Sequence, residues 1–354
     1  MSAKYLLVAE ELRRMCAQMR QCGQTKLPTE YELCEQFTCS RQTVRHAMDL
    51  LEREGLLTRR HGSGSYLSNA LYPENRRIAL VTARAEEYLY PQLIREIGSQ
   101  LSAASYRAEV YSTENQLSRE REILGTLLSD PPAAILLEGT RTALPCSNLD
   151  LFQQILSRKI PLVFLSAPYR ELEQVPCITQ DNAGGSALLV RYLLKKKHKN
   201  IAAIFKYDDI RGLARYRGYV SALQQSSLPL HEQNIFWYNT EDFTALADNQ
   251  SDMLERFVRQ RLSPCTAVIC YNDEIAYHLI RCLLRLGRRV PDDVAVLSFD
   301  DSYYCGLGPI PISSLGHERH TLSQAAADAI LCAAKHKNVS GRSIPWVLKE
   351  RESG

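Results

Sequence analysis

Residues 40–67 read SRQTVRHAMDLLEREGLLTRRHGSGSYL. Ser40 is a good N-cap, and Val44, Ala47, Met48 and Leu51 follow at i, i+3, i+4 and i+7, one apolar stripe of a helix over residues 41–54. Arg41, Gln42, Thr43, Arg45 and His46 crowd the first turns and mostly face away from that stripe. Gly55 ends the helix. Residues 56–67 then read as a two-stranded hairpin turning at Gly62-Ser63-Gly64, with Arg59, Arg60 and His61 just before its tip.

Upstream, residues 4–21 place Leu6, Leu7, Leu12, Met15 and Met19 at approximate helical spacing, with Arg13, Arg14 and Arg20 outward. Leu27-Pro28-Thr29-Glu30 follows, in which Thr29 caps a helix running to about Phe37 and burying Leu33 and Phe37. Thr38-Cys39 is then the turn into the helix begun by Ser40. Helix, turn, helix and a basic glycine hairpin, in that order, are the parts of a DNA-reading module. The N-terminal residues of its second helix meet base edges in the major groove. Arg41 and Arg45 carry the planar fork that suits guanine or phosphate, and Gln42 suits adenine.

The chain changes character over residues 69–77 (NALYPENRR), a polar stretch without period. Beyond it, apolar runs of strand length alternate with amphipathic segments. The runs are 78–82 (IALVT), 134–137 (AILL), 161–165 (PLVFL), 201–205 (IAAIF), 267–270 (AVIC) and 294–298 (VAVLS). Such alternation predicts an α/β body with parallel sheets, whose ligands bind beyond the carboxyl ends of the strands. Polar residues gather there: Tyr88 and Tyr90, Glu138, Lys206 with Asp208 and Asp209, Arg215 and Arg217, residues 271–274 (YNDE), Asp300 and Asp301, and His317. Carboxylates accept hydrogen bonds from paired hydroxyls, Arg and Lys donate, and an aromatic ring covers an apolar sugar face, so this set suits a small polyhydroxylated ligand.

Composition narrows the alternatives. The 354 residues are 45 % apolar and 23 % charged, ordinary for a folded globular chain. The 43 basic and 40 acidic residues leave a net charge of +3, so DNA binding needs a local basic face; residues 1–70 hold ten Lys/Arg against eight Asp/Glu. The 11 cysteines contain no C-x-x-C pair, and no histidine stands at zinc-finger spacing, which points to reduced, mostly buried thiols and no metal. No G-x-S-x-G elbow, P-loop or metal-ligand cluster supports an enzyme. Residues 195–199 (KKKHK) fall at a helix C-terminus, where the helix dipole favours cations. Residues 1–15 are too charged for a signal peptide, and no stretch approaches a membrane span, so the expected location is the cytoplasm.

Two resemblances then become specific. Residues 27–30 (LPTE), 40–45 (SRQTVR), 50–57 (LLEREGLL) and 61–64 (HGSG) resemble the winged helix of GntR-type bacterial regulators over residues 4–68. That resemblance implies DNA contacts at Glu30, Arg41, Gln42, Thr43, Arg45, His61 and Gly62, and a homodimer on a pseudo-palindromic operator. Residues 180–185 (QDNAGG), 215–219 (RYRGY), 271–276 (YNDEIA), 290–294 (VPDDV) and 298–301 (SFDD) resemble the LacI-type effector domain, which has the two-lobed fold of periplasmic sugar-binding proteins, over residues 77–352. The combination is similar to the arabinose-responsive repressors of Gram-positive bacteria.

The resemblance implies sugar contacts at Tyr90, Glu138, Lys206, Arg215, Asp273, Asp300 and His317. Gly139, where proline is expected, and Glu318 depart from the pattern. The expected architecture is therefore a winged helix-turn-helix over residues 1–69, a linker over 70–76, and a two-lobed sugar-sensing α/β body over 77–354. The expected function is a repressor that binds operator DNA as a dimer, uses no cofactor, and is released by L-arabinose or a related pentose. The alternatives are a different sugar or sugar phosphate on the same architecture, or a glycan-processing enzyme.

Overall fold

The computed structural model describes residues 4–21, 26–53, 56–60, 64–67, 76–247 and 251–354. The chain separates into two compact units, Met1–Asn75 and Arg76–Gly354.

In the first unit, helices α1 (Lys4–Gln21), α2 (Glu30–Phe37) and α3 (Arg41–Arg53) precede strands β1 (Leu57–Arg60) and β2 (Gly64–Leu67). The strands pair antiparallel from Leu57 opposite Leu67 to Arg60 opposite Gly64. Lys26 adds a bridge to Tyr66, so the segment entering α2 is tied to the hairpin. The predicted stripe of α3 is the core: Val44, Ala47, Met48 and Leu51 are buried against Leu12, Leu33 and Leu57. His61, Gly62 and the hairpin tip lie outside the described residues, as do residues 70–75 of the expected linker.

The second unit has two lobes. The first lobe carries β3 (Arg77–Thr82), α4 (Tyr90–Ala103), β4 (Arg107–Ser112), α5 (Leu117–Ser129), β5 (Ala134–Leu137), α6 (Leu149–Ser157), β6 (Leu162–Leu165) and β7 (Cys177–Gln180). The second carries α7 (Asn182–Lys195), β8 (Ile201–Lys206), α8 (Ile210–Gln225), β9 (Ile235–Tyr238), α9 (Thr240–Ala247), α10 (Met253–Gln260), β10 (Ala267–Cys270), α11 (Asp273–Arg285), β11 (Ala295–Phe299), α12 (Tyr304–Leu307) and β12 (Ser313–Gly316). The chain then returns to the first lobe for α13 (Thr321–Ala334) and β13 (Arg342–Ile344), and ends in the second with β14 (Val347–Lys349). It therefore passes between the lobes three times, near Asp181, His317 and Pro345.

The sheet orders are β13-β7-β6-β5-β3-β4 and β14-β12-β11-β10-β8-β9. All neighbours are parallel except the antiparallel β14 edge. Alternate side chains of β3, β5, β6, β8 and β10 enter opposite cores. Ile78 and Leu80 pack under α4 and α13, while Ala79 and Val81 pack under α5 and α6. Burial on both faces is what makes these strands read as unbroken apolar runs. The edge strands β4 and β9, with half-exposed faces, were not legible as runs. Helix α7 ends at Lys195, so the basic run begins where the dipole favours it.

Helices α7 and α8 are in contact at Gly218, where a Cβ would lie 2.0 Å from the Ala183 carbonyl oxygen. Gly218→Ala must push the helices apart, and overpacking of this kind costs about 1–3 kcal/mol. We expect its thermal unfolding midpoint to fall by roughly 2–10 °C, read by tryptophan fluorescence; both tryptophans, Trp237 and Trp346, lie in this unit.

Candidate functional site

The surface of the first unit that presents its basic residues is set by two caps. Thr29 Oγ accepts the Glu32 N–H at 3.3 Å while the Glu32 carboxylate accepts the Thr29 N–H at 2.7 Å, a capping box that starts α2 at Glu30. Ser40 Oγ accepts the Thr43 N–H at 3.2 Å and starts α3 at Arg41. With the apolar stripe inward, Arg41, Gln42, Arg45 and His46 are exposed.

Glu30 ties this face together. Its two oxygens accept from Arg41 Nε at 2.8 Å and from Arg45 Nε at 3.1 Å. Burial pushes the Glu30 carboxyl up, but the hydrogen bonds from Arg41 and Arg45 outweigh it and hold the carboxyl below its ordinary range. The arginines remain 72 % and 59 % exposed, so the clamp fixes their direction while leaving their outer N–H groups facing outward. The Thr43 hydroxyl sits 2.8 Å from Ser40 Oγ, inside the cap. Arg59 turns back to α3, 2.6 Å from Asp49.

In the second unit the polar residues do meet at the carboxyl ends of the strands. From the first lobe, the Tyr90 hydroxyl donates to Glu138 Oε1 at 2.7 Å, and the Ala83 N–H holds Glu138 Oε2 at 3.0 Å. From the second, Arg211 reaches the same Glu138 at 2.9 Å and Asp209 at 2.6 Å, and the Tyr271 hydroxyl donates to Asp209 at 2.7 Å. Burial pushes the Asp209 carboxyl up, yet Arg211 holds it well below the ordinary range.

A second group lies beside it. Arg215 donates to Asn182 Oδ1 at 2.9 Å, to the Tyr271 carbonyl, and to Asp300 at 3.3 Å, with its guanidinium 4.0 Å over the Phe299 ring. Asp300 also accepts from the Tyr88 hydroxyl of the first lobe at 2.7 Å. Lys206 lies 3.5 Å from Asp208; burial lowers its pKa, opposed by Asp208 and Asp209. His317 stacks on Trp346 at 4.1 Å with Nδ1 2.9 Å from the Pro345 carbonyl oxygen. Burial lowers its pKa and favours the neutral ring, and its Nε2 is buried without a partner.

The structure thus brings Tyr90, Glu138, Lys206, Arg215, Asp300 and His317 to one edge of the lobes. Asp273 is different. It has no exposed surface, and Ser298 and Ser314 hold one oxygen at 2.5 Å each while the Ser302 N–H holds the other at 2.6 Å. It anchors the ends of β11 and β12 from beneath. Arg217 is exposed away from the cleft. Sequence reasoning missed Arg211 and also Arg84, which bridges the lobes to Glu274 at 2.7 Å. The signal for Arg211 was its i, i+4 spacing from Arg215, one face of α8. Gly139 is explained as well: its N–H donates to the Ala167 carbonyl at 3.0 Å, and a Cβ would lie 2.8 Å from that oxygen. Proline would lose the bond and clash.

Among the described residues no group of three or more His, Cys, Asp or Glu side chains is placed to hold a metal ion, and no helix is long and apolar enough to cross a membrane.

Known proteins match this layout. Residues 4–67 match the bacterial regulatory proteins of the gntR family, and residues 190–353 match the periplasmic binding protein-like domain. The arabinose metabolism transcriptional repressor of Geobacillus stearothermophilus is 31% identical over 340 residues, 95% of this chain and 92% of that one. The protein of the same name from Halalkalibacterium halodurans is 29% identical over 94% of this chain and 89% of its own. Among solved structures, the transcriptional regulator CelR–cellobiose complex superposes with a TM-score of 0.68 at 22% identity, covering 89% of this chain and 90% of that one, and so shares the fold.

Asp273 carries a pH signature. Burial foremost, with the nearby Asp300 charge, raises its carboxyl from 3.8 to about 7 against the opposing serine hydrogen bonds. The folded state thus keeps a proton that the unfolded chain has lost. Its stabilising contribution is complete below about pH 4 and is lost as the pH rises through about 7. Asp273→Asn can donate to Ser298 and Ser314 and accept from the Ser302 N–H. In urea unfolding, we expect this variant to lose that part of the decline in stability between pH 4 and 7. Parallel wild-type and variant profiles would refute the buried, protonated carboxyl.

Proposed function

The chain belongs to the family of the arabinose metabolism transcriptional repressor, regulators rather than enzymes, and from that premise we propose that it holds operator DNA as a homodimer and is released by L-arabinose or a related pentose. It is a sugar-responsive transcriptional repressor, with a GntR-type DNA-binding module and a periplasmic-binding-protein-like effector body. In this reading residues 1–69 address DNA, 77–354 sense the sugar, 70–76 join them, and the protein works in the cytoplasm.

The observation that carries the ligand reading is charge balance in the cleft. Arg211 is paired with Glu138 and Asp209, Arg215 with Asp300, and Lys206 with Asp208. An anionic ligand such as a sugar phosphate would meet carboxylates beside every cation. An uncharged polyol exchanges its hydroxyls into these same donor and acceptor positions at no charge cost. Tyr90, Glu138, Lys206, Arg215, Asp300 and His317 are the contacts we assign. Asp273 holds the strand ends that present Asp300 rather than touching sugar itself.

For DNA, the Glu30 clamp supports Arg41, Gln42, Thr43 and Arg45 as the reading face, and His61 and Gly62 are assigned as further DNA contacts. The lobes are bridged by Arg211–Glu138 and Tyr88–Asp300. A sugar that binds the bridged arrangement better shifts the population towards it, and the same free-energy difference lowers operator affinity by linkage.

Thermal-shift measurements with L-arabinose, other pentoses and hexoses test the ligand. A rise confined to a pentose supports the reading, and a rise only with sugar phosphates overturns it. Arg45→Ala should weaken operator binding by about 1–3 kcal/mol without altering the sugar-induced shift. Glu138→Gln should bind operator like wild type but lose most of the thermal response to sugar. Full operator affinity in the first, or a normal sugar response in the second, removes that residue from its assigned role.

A further inference from the structure

Helix α2 ends in a turn that joins the main chains of two cysteines by a hydrogen bond. Thr38 is left-handed, with φ 46° and ψ 53°, although it is β-branched. Its N–H donates to the Glu35 carbonyl at 3.3 Å, and the Cys39 N–H donates to the Cys34 carbonyl at 3.2 Å. These are the paired bonds of a Schellman turn. In that motif a side-chain contact between the residue after the left-handed position and the residue five before it in the chain frequently accompanies the two bonds. Here those two residues are Cys34 and Cys39. Both are half-buried and pack against the core of the DNA-reading unit, so a small reagent reaches them. A main-chain hydrogen bond between them suits the roughly 4.4–6.8 Å between Cα atoms that a disulfide requires.

The surroundings connect this pair to the reading face. Cys34 lies one turn after Glu30 on the same face of α2, and Glu30 clamps Arg41 and Arg45. The Arg41 guanidinium is raised chiefly by its hydrogen bond to Glu30, and Cys34 adds to that effect, so the thiol lies within electrostatic reach of it. Cys39 directly precedes Ser40, the residue that caps α3. A covalent bond between the two sulfurs therefore pulls on the α3 cap and on the Arg41 side of the Glu30 clamp together.

We propose that Cys34 and Cys39 are a peroxide-sensitive thiol pair whose disulfide loosens the grip of the protein on DNA. The step balances with a peroxide as oxidant. One thiol, once deprotonated, attacks a peroxide oxygen, the O–O bond breaks, and the departing hydroxide takes up the thiol's proton as water, leaving a sulfenic acid. The second thiol then displaces that hydroxyl as water, so two thiols and one hydrogen peroxide give one disulfide and two waters. The proposal rests on the DNA-reading assignment of the first unit.

The experiment uses the full chain and a duplex that the reduced protein selects from a randomised pool. After hydrogen peroxide and alkylation of remaining thiols, peptide mass spectrometry should find a Cys34–Cys39 cross-link, and affinity for the duplex should fall by about tenfold or more. Dithiothreitol should restore it. Cys34→Ser and Cys39→Ser should bind the duplex like reduced wild type and ignore peroxide. Absence of the cross-link, unchanged affinity once it has formed, or equal peroxide sensitivity in the serine variants overturns the proposal. Failure of the reduced protein to select any duplex instead overturns the DNA-reading assignment, while the cross-link itself is still judged by mass spectrometry.

Discussion

Everything in the larger unit follows from burying both faces of two parallel sheets. Apolar side chains alternate into opposite cores along β3, β5, β6, β8 and β10, where a polar group would lose its water. The chemistry is thereby gathered at the carboxyl ends of the strands and in the residues that follow them. Because the chain crosses between the lobes three times, the carboxyl ends of both sheets meet at one place. Tyr88, Tyr90 and Glu138 approach from one side, and Asp209, Arg211, Arg215 and Asp300 from the other.

Such a meeting of charges is costly unless each is paired. An isolated buried ion loses several kcal/mol of hydration that its partner must offset through good geometry and further hydrogen bonds. The cleft meets this condition in chains: Tyr90 to Glu138 to Arg211 to Asp209 to Tyr271, and Tyr88 to Asp300 to Arg215 to Asn182. Asp273 takes the other solution: burial raises its carboxyl to about 7, so below that pH it keeps a proton among three serines. The cleft is therefore rich in donors and acceptors but close to neutral, and it is bridged by groups that a polyol can address in turn.

The smaller unit solves a related problem on a surface. Two arginines side by side repel each other and wander; one carboxylate between them removes both difficulties. Glu30 does this from the first position of α2, a place fixed by the Thr29–Glu32 capping box. The precision of the reading face therefore depends on where two helices begin, and Thr29 and Ser40 decide that.

Much of this was legible in the sequence. The caps, the stripe of α3 and strands β3, β5, β6, β8, β10 and β11 are local patterns, and each formed within a residue or two of its expected place because period and capping act over a few residues. Edge strands β4 and β9 escaped because half-exposed strands lose their apolar signature, and interior strands β7 and β12 escaped because Thr179, Gln180, Ser313 and Ser314 break theirs. The polar residues after the strands were also visible, but their partners were not. Nothing local distinguishes Asp273, sealed under the strand ends, from Asp300, which faces Tyr88 across the lobes, and nothing local joins Arg211 to Glu138, 73 positions earlier in the chain. The sequence by itself determined the elements, the two kinds of unit and the class of chemistry, since these depend on neighbours along the chain. Only the tertiary structure decided which charges pair, which carboxyl is buried, and which arginines one glutamate can hold, because those depend on the three crossings that bring distant strand ends together.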